Sequence, residues 1–250
     1  MTPTHTTRKS QLDKLNQQII SCYKCPRLVA WREEVARLKR RAYQDQEYWG
    51  RPVPGFGDPN ARVLVVGLAP GAHGSNRTGR NFTGDASGRF LYPALYRAGF
   101  ANQPTAVSRD DGLALKDLYL AAAARCVPPA NKPTPEELNN CQPYLERDLA
   151  ILKPKVIVCL GRLAFDRILK MYAIRNPAWK FGHGALYKLN TDSLNTDPLN
   201  TDSLNTDPLN TGPWLLCSYH PSQQNTLTGK LTVKMFDEIW KKAKGLVQDE

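Results

Sequence analysis

Apolar residues in this chain recur with two periods, and the alternation between them outlines the fold. Four short apolar runs read as strands buried on both faces: residues 63–66 (VLVV), a segment within 117–129 that ends at Cys126, residues 155–160 (KVIVCL) and the stretch that begins at Trp214 (WLLCSY). Continuous rather than alternating apolar character is the mark of a parallel sheet covered on both sides. The alanines at 121–124 would also suit a helix, but Pro128 and Pro129 leave little room for one. Between the strands, apolar residues return at helical spacing over residues 11–21, 27–41, 87–100, 134–152, 163–172 and 228–244. Thr134, Pro135, Glu136 and Glu137 supply an N-cap, a first-turn proline and early acids for the fourth of these helices. In the helix over 27–41, Leu28, Val29, Val35 and Leu38 are expected inward, with Arg32, Arg37, Lys39, Arg40 and Arg41 outward or near its end. Strands alternating with helices predict an α/β domain.

The polar segments carry the candidate chemistry. The first strand empties into about twenty residues rich in Gly, Asn, Arg and Thr, without apolar periodicity. Open α/β sheets hold ligands where strands end in such loops. Gly67, Gly71 and Gly74 are not spaced as G-x-G-x-x-G, and no Gly-Lys-Ser/Thr follows, so neither a dinucleotide fingerprint nor a P-loop is present. The loop offers close backbone approach at Gly67 and Gly71, one imidazole (His73), two guanidiniums (Arg77, Arg80), one ring (Phe82) and one carboxylate (Asp85). That set suits a flat polar ligand attached to a phosphate chain. Asp85 reads equally well as the N-cap of the next helix. Asn131 and Lys132 follow the second strand, and His220-Pro221-Ser222 opens a polar loop after the fourth. Loops at the C-terminal ends of parallel strands meet at one edge, so acid, amide and imidazole face one pocket.

Cysteine usage adds a second site. Cys22 and Cys25 form a C-x2-C pair, and Cys126 and Cys141 follow, each beside a loop or a helix end. Four thiolates can hold Zn2+ or a 4Fe-4S cluster, and spacing does not choose between them. Four unrelated buried cysteines are the plainer alternative. Cys159 and Cys217 lie mid-strand among apolar residues and are expected to be inert core.

Charge and length narrow the class further. Lys and Arg number 34 against 23 Asp and Glu, a formal +11 that favours polyanionic partners. No apolar run approaches the roughly 18 residues that span a bilayer, and MTPTHTTRKS has no hydrophobic core behind it. The expected compartment is the cytoplasm. Two hundred and fifty residues suit one well-buried domain. Residues 190–211 repeat NTDSL and NTDPL, one leucine per five residues, which cannot build a core. They are expected to form a low-complexity insertion in a surface loop, tolerated because long loops add little closure entropy.

Three long motifs, GLAPGAHGSNRTGRNFTGDASG, RC-PP-NKPTPEE-C and SYHPSQQNTLTGKLT, with the four cysteines, resemble the family 5 (type B) uracil-DNA glycosylases, iron-sulfur members of that superfamily. The resemblance runs from Cys22 to Trp240, except for the repeat. It implies a three-layer α/β/α sandwich around a four-stranded parallel sheet, and a 4Fe-4S cluster on Cys22, Cys25, Cys126 and Cys141. The implied activity is hydrolytic excision of uracil and other deaminated bases, hypoxanthine among them, from double- or single-stranded DNA by a monomer. Gly67 to Gly71 matches the water-activating motif, with Ala69 and Gly71 where other branches place a polar catalytic side chain. That departure moves the search for the acid to Asp85. Phe82 matches the ring that stacks on the flipped base, Asn131 a polar contact near it, and His220 the histidine of the last motif. Arg77, Arg80, Lys132 and Lys230 are candidates for holding the DNA backbone. No lysine nucleophile is needed, so base release without strand cleavage is expected. Two rivals remain open: a non-catalytic DNA-binding module stabilised by Fe-S or zinc, and a Rossmann-type nucleotide enzyme.

Overall fold

A computed structural model describes residues 7–190 and 212–248. Six strands form one mixed sheet: β1 (Phe56–Gly57), β2 (Val63–Gly67), β3 (Leu118–Ala122), β4 (Val156–Leu160), β5 (Leu186–Lys188) and β6 (Trp214–Ser218), in spatial order β1-β3-β2-β4-β6-β5. The inner four are parallel. Antiparallel β1 and β5 flank them, one at each edge. These two are additions to the expected four, and two or three residues carry no period for a sequence to show. Among the described residues eight α-helices precede, connect or follow the strands: α1 (Arg8–Ile20), α2 (Pro26–Leu38), α3 (Ser75–Thr78), α4 (Ala86–Arg97), α5 (Pro135–Leu152), α6 (Arg162–Met171), α7 (Gln223–Leu227) and α8 (Val233–Gln248).

Successive strand residues point to opposite faces, and both faces are apolar. Val63, Val65, Leu118, Leu120, Val156 and Val158 pack with Leu91 and Leu95 of α4 and Phe236 and Trp240 of α8. Leu64, Val66, Ala121, Ile157 and Cys159 pack with Leu145 and Leu149 of α5 and Phe165 and Ile168 of α6. This is the α/β/α sandwich, and it explains why the strands read as unbroken apolar runs. Cys159 and Cys217 are fully buried here, and burial pushes the Cys217 thiol up to about 12.

Several expected boundaries shift for visible reasons. The second strand begins at Leu118, because Asp117 takes φ 57° and pairs with Arg62 at 2.5 Å. It ends at Ala122, short of Cys126, although Ala123 and Ala124 still donate to the carbonyls of Gly67 and Leu68 at 2.9 and 2.8 Å. The closing helix starts at Val233 and is preceded by the separate α7, with Gly229 at φ 72° turning the chain between them. On α2 the buried face is Leu28, Arg32 and Val35, at i, i+4 and i+7. Arg32 is therefore inside (0% exposed) and Leu38 outside (58%), the reverse of the expectation. Of the repeat at 190–211, residues 191–211 lie outside the described residues; the chain on either side is paired, Leu189 N–H donating to Pro213 O at 3.0 Å.

In register, Gly67 lies opposite Ala122, and Leu160 opposite Ser218. The chain runs from β2 to β3 on one side and then to β4 on the other, so its direction of winding reverses at β2. The loops leaving this edge are the ones singled out above, and a reversal point is where such sheets bind ligands.

Candidate active site

The loop after β2 is held rigid by its own polar groups. Within α3, Ser75 Oγ accepts the Phe82 N–H at 3.0 Å. Tyr92 of α4 donates its hydroxyl to Asn81 O at 2.7 Å, and Asn81 Nδ2 donates to Pro54 O at 2.8 Å. Phe82 consequently sits at φ 53°, a strained conformation for a side-chain-bearing residue. Its ring lies over Gly67, where a Cβ would stand 3.0 Å from the ring edge. The glycine thus makes room for the aromatic face.

Asp85 follows, as the N-cap of α4. Oδ1 accepts the Gly88 N–H at 2.9 Å, while Oδ2 rests against Gly71 and Gly74. The capping and the loop-facing readings of this residue hold together, one on each oxygen. Burial raises its pKa, against the lowering effect of the Gly88 N–H and of Arg89. Gly74 is required by this arrangement, since a Cβ there would overlap the Asp85 carboxylate. Gly74→Ala is expected to displace Asp85 and lower turnover about 100-fold, because misplacements near 1 Å carry that penalty. Turnover at saturating substrate, beside a melting curve, checks it.

Asp85 and His220 line one cavity of about 280 Å3, together with Gly67, Gly71, Phe82 and Asn131. The His220 and Phe82 rings are 5.9 Å apart between centroids and tilted by 36°. Asn225 Nδ2 donates to His220 O at 2.8 Å, which fixes the loop that presents the imidazole. Burial pushes the His220 pKa down to about 4, so the ring is neutral at pH 7. Asn131 reaches the cavity from a turn after β3 with φ 57°, a conformation Asn adopts more readily than most residues. Asn81, Ser87, Ala122 and Ser222 also line the cavity; the first, beside Phe82, and Ser222, beside His220, are marked in the sequence only by those neighbours.

The structure redirects three residues nominated by the sequence. Arg80 is 2% exposed and committed to Asp111, with contacts of 2.8 and 2.7 Å, and to Thr83 Oγ1 at 2.8 Å. Burial alone would raise the Asp111 pKa, but Arg80 and three backbone N–H groups hold it at about 2. Arg77 is buried too, donating to His73 O, Gln46 Oε1 and Gly84 O and stacking on Tyr43 at 4.0 Å. Both cations brace the loop, their guanidiniums committed to these protein partners. His73 stands outside the cavity lining, with Nδ1 3.1 Å from the Tyr48 hydroxyl. Lys132 and Lys230 are exposed, and Lys230 Nζ lies 5.1 Å from the Tyr219 ring centre.

Cys22 follows α1, Cys25 caps α2, Cys126 follows β3 and Cys141 lies on α5. The four influence one another electrostatically, so they border one region. Among the described residues no three His, Cys, Asp or Glu form a group that could hold a single metal ion. One zinc would need sulfurs about 3.8 Å apart, from Zn–S bonds near 2.3 Å. Arg32 enters this region fully buried. Its Nη1 donates to Cys126 Sγ and to Cys22 O, both at 3.2 Å, while Nε and Nη2 have no hydrogen-bond partner. Among the described residues its one ion-pair partner is the half-exposed Glu33, 3.6 Å from Nη2.

Comparison with known proteins accords with this geometry. The profile of the uracil DNA glycosylase superfamily matches residues 54–244. A type-5 uracil-DNA glycosylase of Thermus thermophilus is 51% identical over 92% of this chain and 95% of its own length. One from Mycobacterium tuberculosis is 46% identical over 93% of this chain and 81% of its own, and a type-4 enzyme of Archaeoglobus fulgidus is 31% identical over 71% and 73%. With a strand-edge cavity holding a carboxylate, a neutral imidazole and an aromatic face, and with these likenesses across nearly its whole length, the chain belongs to the uracil-DNA glycosylase superfamily.

Proposed function

We propose that this chain removes uracil from DNA by hydrolysing the N-glycosidic bond, in base excision repair. The observation that carries this reading is the shared cavity of Asp85 and His220 beside the Phe82 ring. A base must leave the duplex to reach it, at a cost of a few kcal/mol that is least at a mispair. Phe82 offers the flipped base a stacking face. As the bond stretches, positive charge grows on the sugar and negative charge on the base. The Asp85 carboxylate stabilises the first and orients the attacking water. The neutral His220 ring donates to a base oxygen, where the second collects. Among the described residues no lysine lines the cavity, which supports a monofunctional enzyme that leaves an abasic site.

Substrate breadth follows from the wall. Ala122 supplies a methyl group where a side-chain amide would check the base edge, so hypoxanthine is accepted beside uracil. The 77% exposure of Leu227 at the end of α7 supports its filling the gap left in the stack, and the exposure of Lys230 and of Lys132, on the loop after β3, supports their holding the backbone. The protein acts as a monomer, in the cytoplasm, on double- or single-stranded DNA. Among the described residues no helix is long and apolar enough to cross a membrane. Duplexes carrying one uracil or one hypoxanthine should release the base and leave an alkali-labile site. Binding without release would instead favour a non-catalytic DNA-binding module.

The cysteines Cys22, Cys25, Cys126 and Cys141 are assigned to a 4Fe-4S cluster, with Zn2+ as the alternative. Arg32 supports the cluster, because a fully buried cation with two nitrogens lacking hydrogen-bond partners, and only the half-exposed Glu33 at 3.6 Å, favours further negative charge nearby, and four thiolates around iron and sulfide would provide it. When bound, the group ties α1, α2, β3 and α5 together. Arg32→Met is expected to lower iron per protein and the visible iron-sulfur absorbance of anaerobically purified protein. Colourless, zinc-loaded wild-type protein would refute the cluster.

A further inference from the structure

We propose that Trp49, Arg51 and Arg109 form a phosphate clamp that grips the DNA backbone at a distance from the extruded nucleotide. The proposal rests on the DNA reading above and adds exposed cations to a loop whose own Arg77 and Arg80 are buried and paired within the protein. A second cavity, of about 400 Å3, lies on the other side of α3: Ser75 lines the base cavity, whereas Arg77 and Thr78 line this one. Trp49 is fixed in it. Its Nε1–H donates to Pro52 O at 3.0 Å, its backbone N–H donates to Arg77 O at 2.8 Å, and Gly79 leaves space for the ring, since a Cβ there would stand 2.8 Å from it. The Arg109 guanidinium lies 4.3 Å from the indole centre and that of Arg51 lies 5.7 Å away.

Stacking occupies the flat face of a guanidinium and leaves its rim of N–H donors available, the geometry that suits a phosphate. Both arginines are exposed, and among the described residues neither is paired with a carboxylate, although Glu47 and Asp110 border the same cavity. The loop carrying Arg109 is anchored rather than loose. Asp111 accepts the Val107, Ser108 and Leu113 N–H groups, and Arg80 donates to both Asp111 and the Arg109 carbonyl. Two cations held on one indole beside a rigid loop bind a polyanion with little further ordering. Two guanidiniums beside the indole favour an anionic ligand, the phosphodiester, over a base. The short α3 places the clamp within a few nucleotides of the reacting one.

The test uses the full chain with Arg51→Ala and Arg109→Ala combined, and separately Trp49→Leu with a melting curve as folding control. Anisotropy is measured on a long uracil-containing duplex over a salt series, and on a short oligonucleotide ending next to the uracil. For the double variant, affinity for the long duplex is expected to fall several-fold, and the slope of log K against log salt to shrink by about 2, one unit per lost phosphate contact. Trp49→Leu should weaken long-duplex binding with the slope only partly reduced. Affinity for the short oligonucleotide and the single-turnover excision rate at saturating DNA should match wild type. An unchanged slope in the double variant overturns the clamp, and so does equal weakening on both DNAs. If wild-type protein shows the clamp-dependent slope yet releases no base, the glycosylase reading fails and the clamp stands.

Discussion

Asp85→Asn is expected to slow base excision about 100- to 10,000-fold, the range typical for removing a positioned acid-base group. The substitution isolates the charge, because Asn caps a helix about as well as Asp and can still accept the Gly88 N–H. Stability should move the opposite way from activity. Burial raises the Asp85 pKa above that of an unfolded carboxylate, so between the two values the folded state holds the extra proton. The contribution of this group to stability therefore falls as pH rises through that window and stays low above it. At neutral pH Asp85→Asn should melt higher than wild type, and the gain should vanish below about pH 4, where both forms are uncharged. Wild-type excision should rise with pH as Asp85 ionises, and Asp85→Asn should lose that limb. Single-turnover rates and melting curves across pH measure both effects. Equal rates at saturation, with abasic DNA still bound, would remove Asp85 from the mechanism.

Replacing His220 with leucine is expected to lower the rate at saturation about 100- to 1,000-fold, as loss of one preorganised donor does elsewhere. The donor acts on charge that exists only in the transition state, so kcat should fall with KM nearly unchanged. His220→Gln keeps an N–H donor and should recover part of the rate. Burial holds the His220 pKa at about 4, so no activity limb from this residue is expected between pH 6 and 8. A limb near 6.5, the value of an unburied histidine, would identify a protonated ring as the acting species. The sign for stability is fixed by the same shift. Between about 4 and 6.5 the unfolded state binds the extra proton, so this contribution is lost as pH falls through that window. His220→Leu should flatten that acid-side loss.

In the proposed mechanism the two substitutions probe opposite poles of one separation of charge. A carboxylate raised by burial and an imidazole lowered by burial both resist being charged in the cavity they share, and they respond oppositely to pH. The cavity thereby holds its donor neutral and its anion in a poorly solvated state. That anion is stabilised most when positive charge develops on the sugar beside it.

Much of this was legible along the chain. The inner strands are buried on both faces, so local composition alone marks Val63–Gly67 and Val156–Leu160. The parallel sheet then sends their polar loops to one edge, which is why Asp85 and His220 could be placed together from opposite ends of the sequence. What stayed hidden is the pairing of charges. Arg80 looks like a free cation until the fold brings Asp111 to it, and Arg32 looks solvated until α2 turns it toward Cys126. Arg51 and Arg109 become neighbours only through Trp49. Periodicity records how much apolar surface a segment must bury, a local property of its side chains. Whether a charge is spent inside or offered outside depends on which distant group arrives beside it, and only the folded chain decides that.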